Sequence, residues 1–141
     1  MVQAVKYSSV VCEKLGLNAA IIFHNVCYWC NKNASENRNL KVGLYWTFNS
    51  VKVWSDKSKC NFSQAQIKTA FLKLKDAGLI QVGCFNRHLY DRIKWYSVDL
   101  GKIELLDPDY TESTLEEFRK KINPSETILS PHARDEDDLG F

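Results

Sequence analysis

An ordered run in the middle of the chain narrows the fold most. Ser63 precedes a segment in which Ile67, Ala70, Phe71 and Leu74 recur at helical spacing, with Gln64, Gln66, Lys68, Thr69, Lys73 and Lys75 between them. A serine side chain accepts from the first unpaired amides of a helix, and the apolar stripe supplies a face to bury, so the pattern predicts a helix from Gln64 to Ala77. Gly78 stands where a left-handed residue ends a helix with least strain. Two strands are expected next, Leu79 to Phe85 and Arg92 to Val98. They are joined by Asn86-Arg87-His88-Leu89-Tyr90-Asp91, a polar, basic connection that is long for a hairpin.

The upstream half leads into this run. A short helix around Ser9 to Leu15 is expected to stop at Gly16, and Asn18 is placed to cap a second helix from about Ala19 to Lys32. Ala20, Ile21, Ile22, Phe23, Val26, Cys27, Trp29 and Cys30 make that helix apolar on most faces, which marks it as the central core element. Asn31 to Asn39 reads as a loop and Leu44-Tyr45-Trp46-Thr47-Phe48 as a short strand. Asn49 or Ser50 then opens a third helix through Val51, Val53 and Trp54. Helix, short turn, helix and a hairpin with a charged tip make an α+β fold with the layout of a winged helix-turn-helix: about four helices, a short strand and a β-hairpin wing.

Charge divides the chain. Of 141 residues, the first 103 hold 15 of the 19 Lys and Arg and 6 of the 17 acids, a net charge of +9 against −7 for the remainder. All three prolines, Pro108, Pro124 and Pro131, lie beyond Gly101, where apolar density drops. The expected organisation is a winged-helix DNA-binding domain over residues 1–100 and a mostly disordered acidic C-terminal tail over 101–141. Ser113-x-x-Glu116 is a capping-box pattern leading into Leu115, Phe118 and Ile122, and predicts one short tail helix over 114–122. A basic body points to a polyanion partner, and the tail to a separate task.

No segment approaches the roughly 18 uninterrupted apolar residues of a membrane span, and Met1 to Lys6 form no hydrophobic signal region. No membrane association and a cytoplasmic location are therefore expected. The five cysteines, Cys12, Cys27, Cys30, Cys60 and Cys84, lack framework spacing and read as reduced thiols. Cys27 and Cys30 form a C-x-x-C one helical step after His24. With no second pair at zinc-site spacing, buried core thiols are expected there and no metal. Without a phosphate-cradling glycine loop, a Gly-x-Ser-x-Gly or paired acids in the body, neither an enzyme nor a cofactor is expected. His24 reads as core-flanking, His88 as a wing residue and His132 as solvated.

Several landmarks arrive in a familiar order: Gly16-Leu17-Asn18-Ala19-Ala20, Leu44-Tyr45-Trp46-Thr47-Phe48-Asn49, Trp54, Ser63-x-x-x-Ile67, Leu74-Lys75-x-x-Gly78-Leu79-Ile80 and Tyr90-Asp91-Arg92-x-Lys94-Trp95-Tyr96. Over about residues 7–98 the chain resembles the N-terminal winged-helix domains of phage replisome organisers and DnaD-like replication proteins. It departs from them after Gly101, where no second helical domain is recognisable. Asp135-Glu136-Asp137-Asp138-Leu139-Gly140-Phe141 resembles the C-terminal tip of bacterial single-stranded-DNA-binding proteins, with Gly140 where that family has proline. This second resemblance implies docking on replication or repair enzymes through Asp135, Glu136, Asp137, Asp138, Leu139 and Phe141. The ring would fill an apolar pocket while the acids steer encounter. The five-stranded OB barrel of those proteins is not visible in the body. Together the resemblances imply a winged-helix protein doing single-strand-binding work in replication of a phage or mobile element.

Candidate DNA contacts are Gln64, Gln66, Lys68, Thr69, Lys73 and Lys75 on the fourth helix and Arg87, His88, Tyr90, Arg92 and Lys94 on the wing. Lysine suits phosphates as a flexible point charge. Sequence-specific major-groove readers favour Arg on guanine and Asn on adenine, and the helix has neither. Phe85, Tyr90 and Tyr96 are candidate stacking platforms; alternatively Phe85 and Tyr96 pair across the hairpin and brace it. Trp29, Trp46, Trp54 and Trp95 are expected in the core. The leading expectation is a binder of single-stranded DNA with low sequence specificity. The alternatives are a site-specific binder of double-stranded DNA, as replication initiator or transcriptional regulator, and a protein–protein adaptor or inhibitor.

Overall fold

The structure, a computed structural model, describes residues 5–57, 60–88 and 91–122. Helices α1 (Ser9–Leu15) and α2 (Leu17–Ser35) meet at Gly16, whose φ of 94° only glycine adopts without strain. Its N–H closes α1 on the Cys12 carbonyl at 2.8 Å, and its own carbonyl opens α2 by accepting from Ala20 at 3.1 Å. The expected cap at Asn18 is thereby corrected. One glycine ends the first helix and starts the second, so Asn18 falls inside the first turn. The expected loop from Asn31 is corrected too, because α2 runs on to Ser35. There Ala34 is buried and the Asn33 amide donates to the Trp46 carbonyl at 2.8 Å.

The single strand expected from Leu44 to Phe48 is split. Strands β1 (Leu40–Lys41) and β2 (Leu44–Tyr45) form a small antiparallel pair, and β3 (Thr47–Phe48) joins a different sheet. Trp46 sits at the break with its backbone N–H on the Asn39 carbonyl and its indole N–H on the Lys41 carbonyl. Helix α3 (Val51–Lys57) follows, its Val53 amide capped by the Ser50 hydroxyl. Helix α4 (Gln64–Asp76) starts with a complete capping box between Ser63 and Gln66. It ends with Gly78 (φ 77°) donating to Lys75 and Leu79 donating to Leu74, both at 3.0 Å. That paired closure of the last turn sends the chain directly into a strand.

Strands β4 (Ile80–Gly83) and β5 (Trp95–Val98) pair antiparallel, and β3 pairs with the other edge of β5, giving the order β3-β5-β4. Every residue of β5 is buried. Tyr96 stacks on Phe71 of α4 at 4.1 Å and 9°, with the fully buried Trp54 of α3 edge-on to both rings. The two helices and the sheet thus close one core around α2. Of the other tryptophans, Trp46 and Trp95 are buried, whereas Trp29 is half-buried beside Tyr28.

The chain beyond residue 100 departs most from expectation. A lone helix over 114–122 was the sequence expectation; instead α5 (Leu100–Leu106), α6 (Pro108–Thr114) and α7 (Glu116–Lys121) follow β5 without a break. Leu100, Ile103, Leu115, Phe118 and Ile122 are buried and belong to the same core as α2. Asp99 and Asp107 cap α5 and α6, and Pro108 opens α6 where its missing N–H costs nothing. The expected Ser113–Glu116 capping box does not form; Ser113 donates to the Tyr110 carbonyl instead. Helix α7 is capped from across the core, its Phe118 amide donating to the Asn31 side chain of α2 at 2.9 Å. In return Lys121 reaches the Ala34 carbonyl at the end of α2 at 2.6 Å. Among the described residues no helix is long and apolar enough to cross a membrane.

Candidate nucleic-acid interface

Helix α4 exposes every polar residue that its stripe predicted, but not on one surface. At 100° per residue, Lys68, Leu72 and Lys75 share one side of the exposed arc, and Gln66, Thr69 and Lys73 share the other. The first side overlooks a groove of about 620 Å³ between α4, the start of α3 and the β4–β5 hairpin. Four cations stand around it: Lys68 and Lys75 from α4, and Arg92 and Lys94 from the approach to β5. No carboxylate lines the groove, and none of the four cations enters an ion pair among the described residues. The floor is apolar, made by Val51, Phe71, Leu72, Val82, Ile93 and Tyr96.

Four of the candidate contacts therefore converge on one concavity. Gln64, Gln66, Thr69, Lys73, Arg87 and His88 are exposed but lie outside its lining. The Gln66 carbonyl is already committed to the Ser63 amide at 2.8 Å. Tyr90 and the segment Asp135–Phe141 lie outside the described residues. Sequence reasoning missed Leu72, Val82 and Ile93. Leu72 had a readable signal, since it interrupts the polar face of an amphipathic helix and remains 58% exposed.

The hairpin connection is held by one side chain that composition does not single out. The Asn86 amide donates to the Asp91 carbonyl at 3.1 Å and to the Ile93 carbonyl at 2.7 Å, while its oxygen accepts from the Trp95 indole at 2.8 Å. The Asp91 carboxylate accepts from the Ile93 amide at 3.1 Å. These bonds fix the backbone on either side of Arg92.

Phe85 and Tyr96 brace the hairpin, though not as an opposed pair. In register Tyr96 faces Val82, and Trp95 faces Gly83. Phe85 packs edge-on against Trp46 and Trp95 at 4.9 and 5.4 Å and folds over Gly83, where an added Cβ would meet its ring at 2.9 Å. Tyr96 is 7% exposed, and burial raises its phenol pKa. Its ring face belongs to Phe71, and only its rim reaches the groove.

Chemistry elsewhere is subdued. Cys27 and Cys30 are fully buried, and burial pushes both thiols up, which keeps them protonated. Cys30 donates to the Tyr96 carbonyl. His24 bonds through Nδ1 to the Tyr110 hydroxyl at 2.7 Å, linking α2 to α6. Burial, and then the positive charge of Lys6, lower its pKa. Among the described residues no group of three or more His, Cys, Asp and Glu is placed to hold a metal ion. Compared with models of protein families, with curated proteins and with solved structures, the chain matches none.

Proposed function

We propose that this chain is a winged-helix protein that binds single-stranded DNA with low sequence specificity, in the replication of a phage or mobile element, and works by binding rather than catalysis. The observation that carries the reading is the groove beside α4, with four cations, an apolar floor and no carboxylate. Like charges gathered without counter-charges raise the local potential and favour a polyanion. Support for the winged-helix layout comes from the element order β3, α3, α4, β4, β5 with β5 central in the sheet. It sets α4 beside a hairpin, as such folds set their recognition helix beside a wing. Three of the four cations are lysines and the fourth, Arg92, stands off the helix, which favours backbone contact over base reading by α4. Within this reading Asp135–Phe141 recruits a replication or repair enzyme, on the strength of its sequence resemblance.

Anisotropy titrations of the full chain on matched single- and double-stranded oligonucleotides, over a series of salt concentrations, test the proposal. If each groove cation neutralises one phosphate, log affinity on the single strand falls against log salt with a slope of about −3. Lys68→Glu and Arg92→Glu each weaken binding, and because both sites are exposed the melting transition stays within about 0.5 kcal/mol of the parent. One duplex sequence bound above every single strand replaces the proposal with a site-specific duplex binder. Folded protein that binds no nucleic acid leaves the adaptor reading.

A further inference from the structure

We infer that the groove between α4 and the hairpin receives an unpaired nucleobase, with the adjoining phosphates on Lys68, Lys75, Arg92 and Lys94. The inference rests on the nucleic-acid reading above and goes beyond it by naming what fills the groove. The cations alone ask only for an anion, and a flat basic face would hold a phosphate backbone equally well. Here they surround an apolar depression instead. Leu72 stands on the exposed side of α4, between Lys68 and Lys75 on the helical surface, with more than half of its surface open. Apolar area left in water between charges gains from a partner that is itself flat and apolar while carrying negative charge at its edge. A nucleotide is such a partner.

The geometry also bears on which strand fits. The groove has a volume typical of small-molecule pockets, about 620 Å³. A base inside a duplex can enter such a depression only after leaving its stack, which carries an unstacking cost that a single strand largely avoids. Aliphatic side chains (Leu72, Val82, Ile93) supply the contact, because the Tyr96 ring is already stacked on Phe71. Of the two neutral polar side chains in the lining, Ser50 has its hydroxyl engaged with the Val53 amide, and Tyr96 offers a single phenol. The groove therefore distinguishes a base from its absence far better than one base from another.

The experiment compares a short oligothymidylate with an abasic deoxyribose-phosphate strand of the same length and charge, on full-length protein. The intact strand should bind about tenfold more tightly at equal salt. Leu72→Ser, at an exposed position with the fold checked by circular dichroism, should lower intact-strand affinity and close most of that gap. Lys68→Ala should weaken both strands together. Equal affinity for intact and abasic strands on the parent protein overturns the inference while leaving backbone binding in place, whereas no binding of either strand removes both readings. An undiminished gap in Leu72→Ser places the base elsewhere and also overturns it. If the strands bind equally and Leu72→Ser abolishes binding of a peptide of residues 135–141, the occupant is the chain's own acidic C-terminal segment and the inference falls.

Discussion

Asn86 and His24 each hold two parts of the fold together through hydrogen bonds that no periodicity announces. Asn86 satisfies two carbonyls and one indole across the hairpin connection, so its amide sets the path of the backbone that carries Arg92 and Lys94. His24 ties α2 to α6 through Tyr110. Its pKa lies below the ordinary imidazole value of about 6.5, so between the two values the unfolded chain binds more protons than the folded one. Stability is therefore complete above the unfolded value and declines as pH falls through about 6.5 toward the depressed folded value. Urea denaturation at pH 7.5 and at successively lower pH should show the midpoint falling through that window. His24→Gln should flatten the fall, and an equally steep fall in the variant would assign it to other groups. Local residues were legible where their task is local: Ser63, Gly16 and Gly78 end or begin helices within one turn of themselves. Asn86 was not, because its partners depend on how the connection folds back.

At the scale of elements, α2 and α7 stabilise one another's ends. Asn31 supplies the cap that α7 lacks locally, and Lys121 answers the carbonyls at the C-terminal end of α2, where a cation is favoured. Phe118 is fully buried between them and the rest of the core. Phe118→Ala should cost about 3–5 kcal/mol, the range for emptying a buried aromatic site. Asn31→Ala should cost about 1 kcal/mol, as for a lost N-cap. Chemical denaturation measures both; a Phe118→Ala protein as stable as the parent would separate the C-terminal helices from the cooperative unit. Helices of six or seven residues have little periodicity to read, and Pro108 and the acids around it look like a tail. Their apolar residues count only once α2 is opposite them. In contrast, the stripe of α4 and the apolar faces of α2 were long enough to read unaided.

For the whole molecule, the C-terminal helices change the charge division. Residues 1–122 carry 18 of the 19 Lys and Arg and 12 of the 17 acids, a net charge of +6, and the remaining residues carry −4. The basic body is thus larger and less extreme than a boundary at residue 100 implied. On the proposed function, deleting Leu139-Gly140-Phe141 should abolish recruitment of a replication partner in pull-downs and leave DNA affinity almost unchanged, since those residues carry no side-chain charge. Deleting Asp135–Asp138 as well should raise DNA affinity, most at low salt, because a tethered polyanion competes at high effective concentration and is screened as salt rises. Unaltered pull-downs after the shorter deletion would reduce the segment to an electrostatic role. The sequence by itself determined α1, the core of α2, α4 with both its ends, and the existence of a hairpin, since caps, glycines and apolar periodicity act over a few residues. Only the tertiary structure decided that α5 to α7 join the core and that Lys68, Lys75, Arg92 and Lys94 surround one apolar groove. Burial and convergence depend on which distant surface a side chain meets, and that information is distributed over the whole chain.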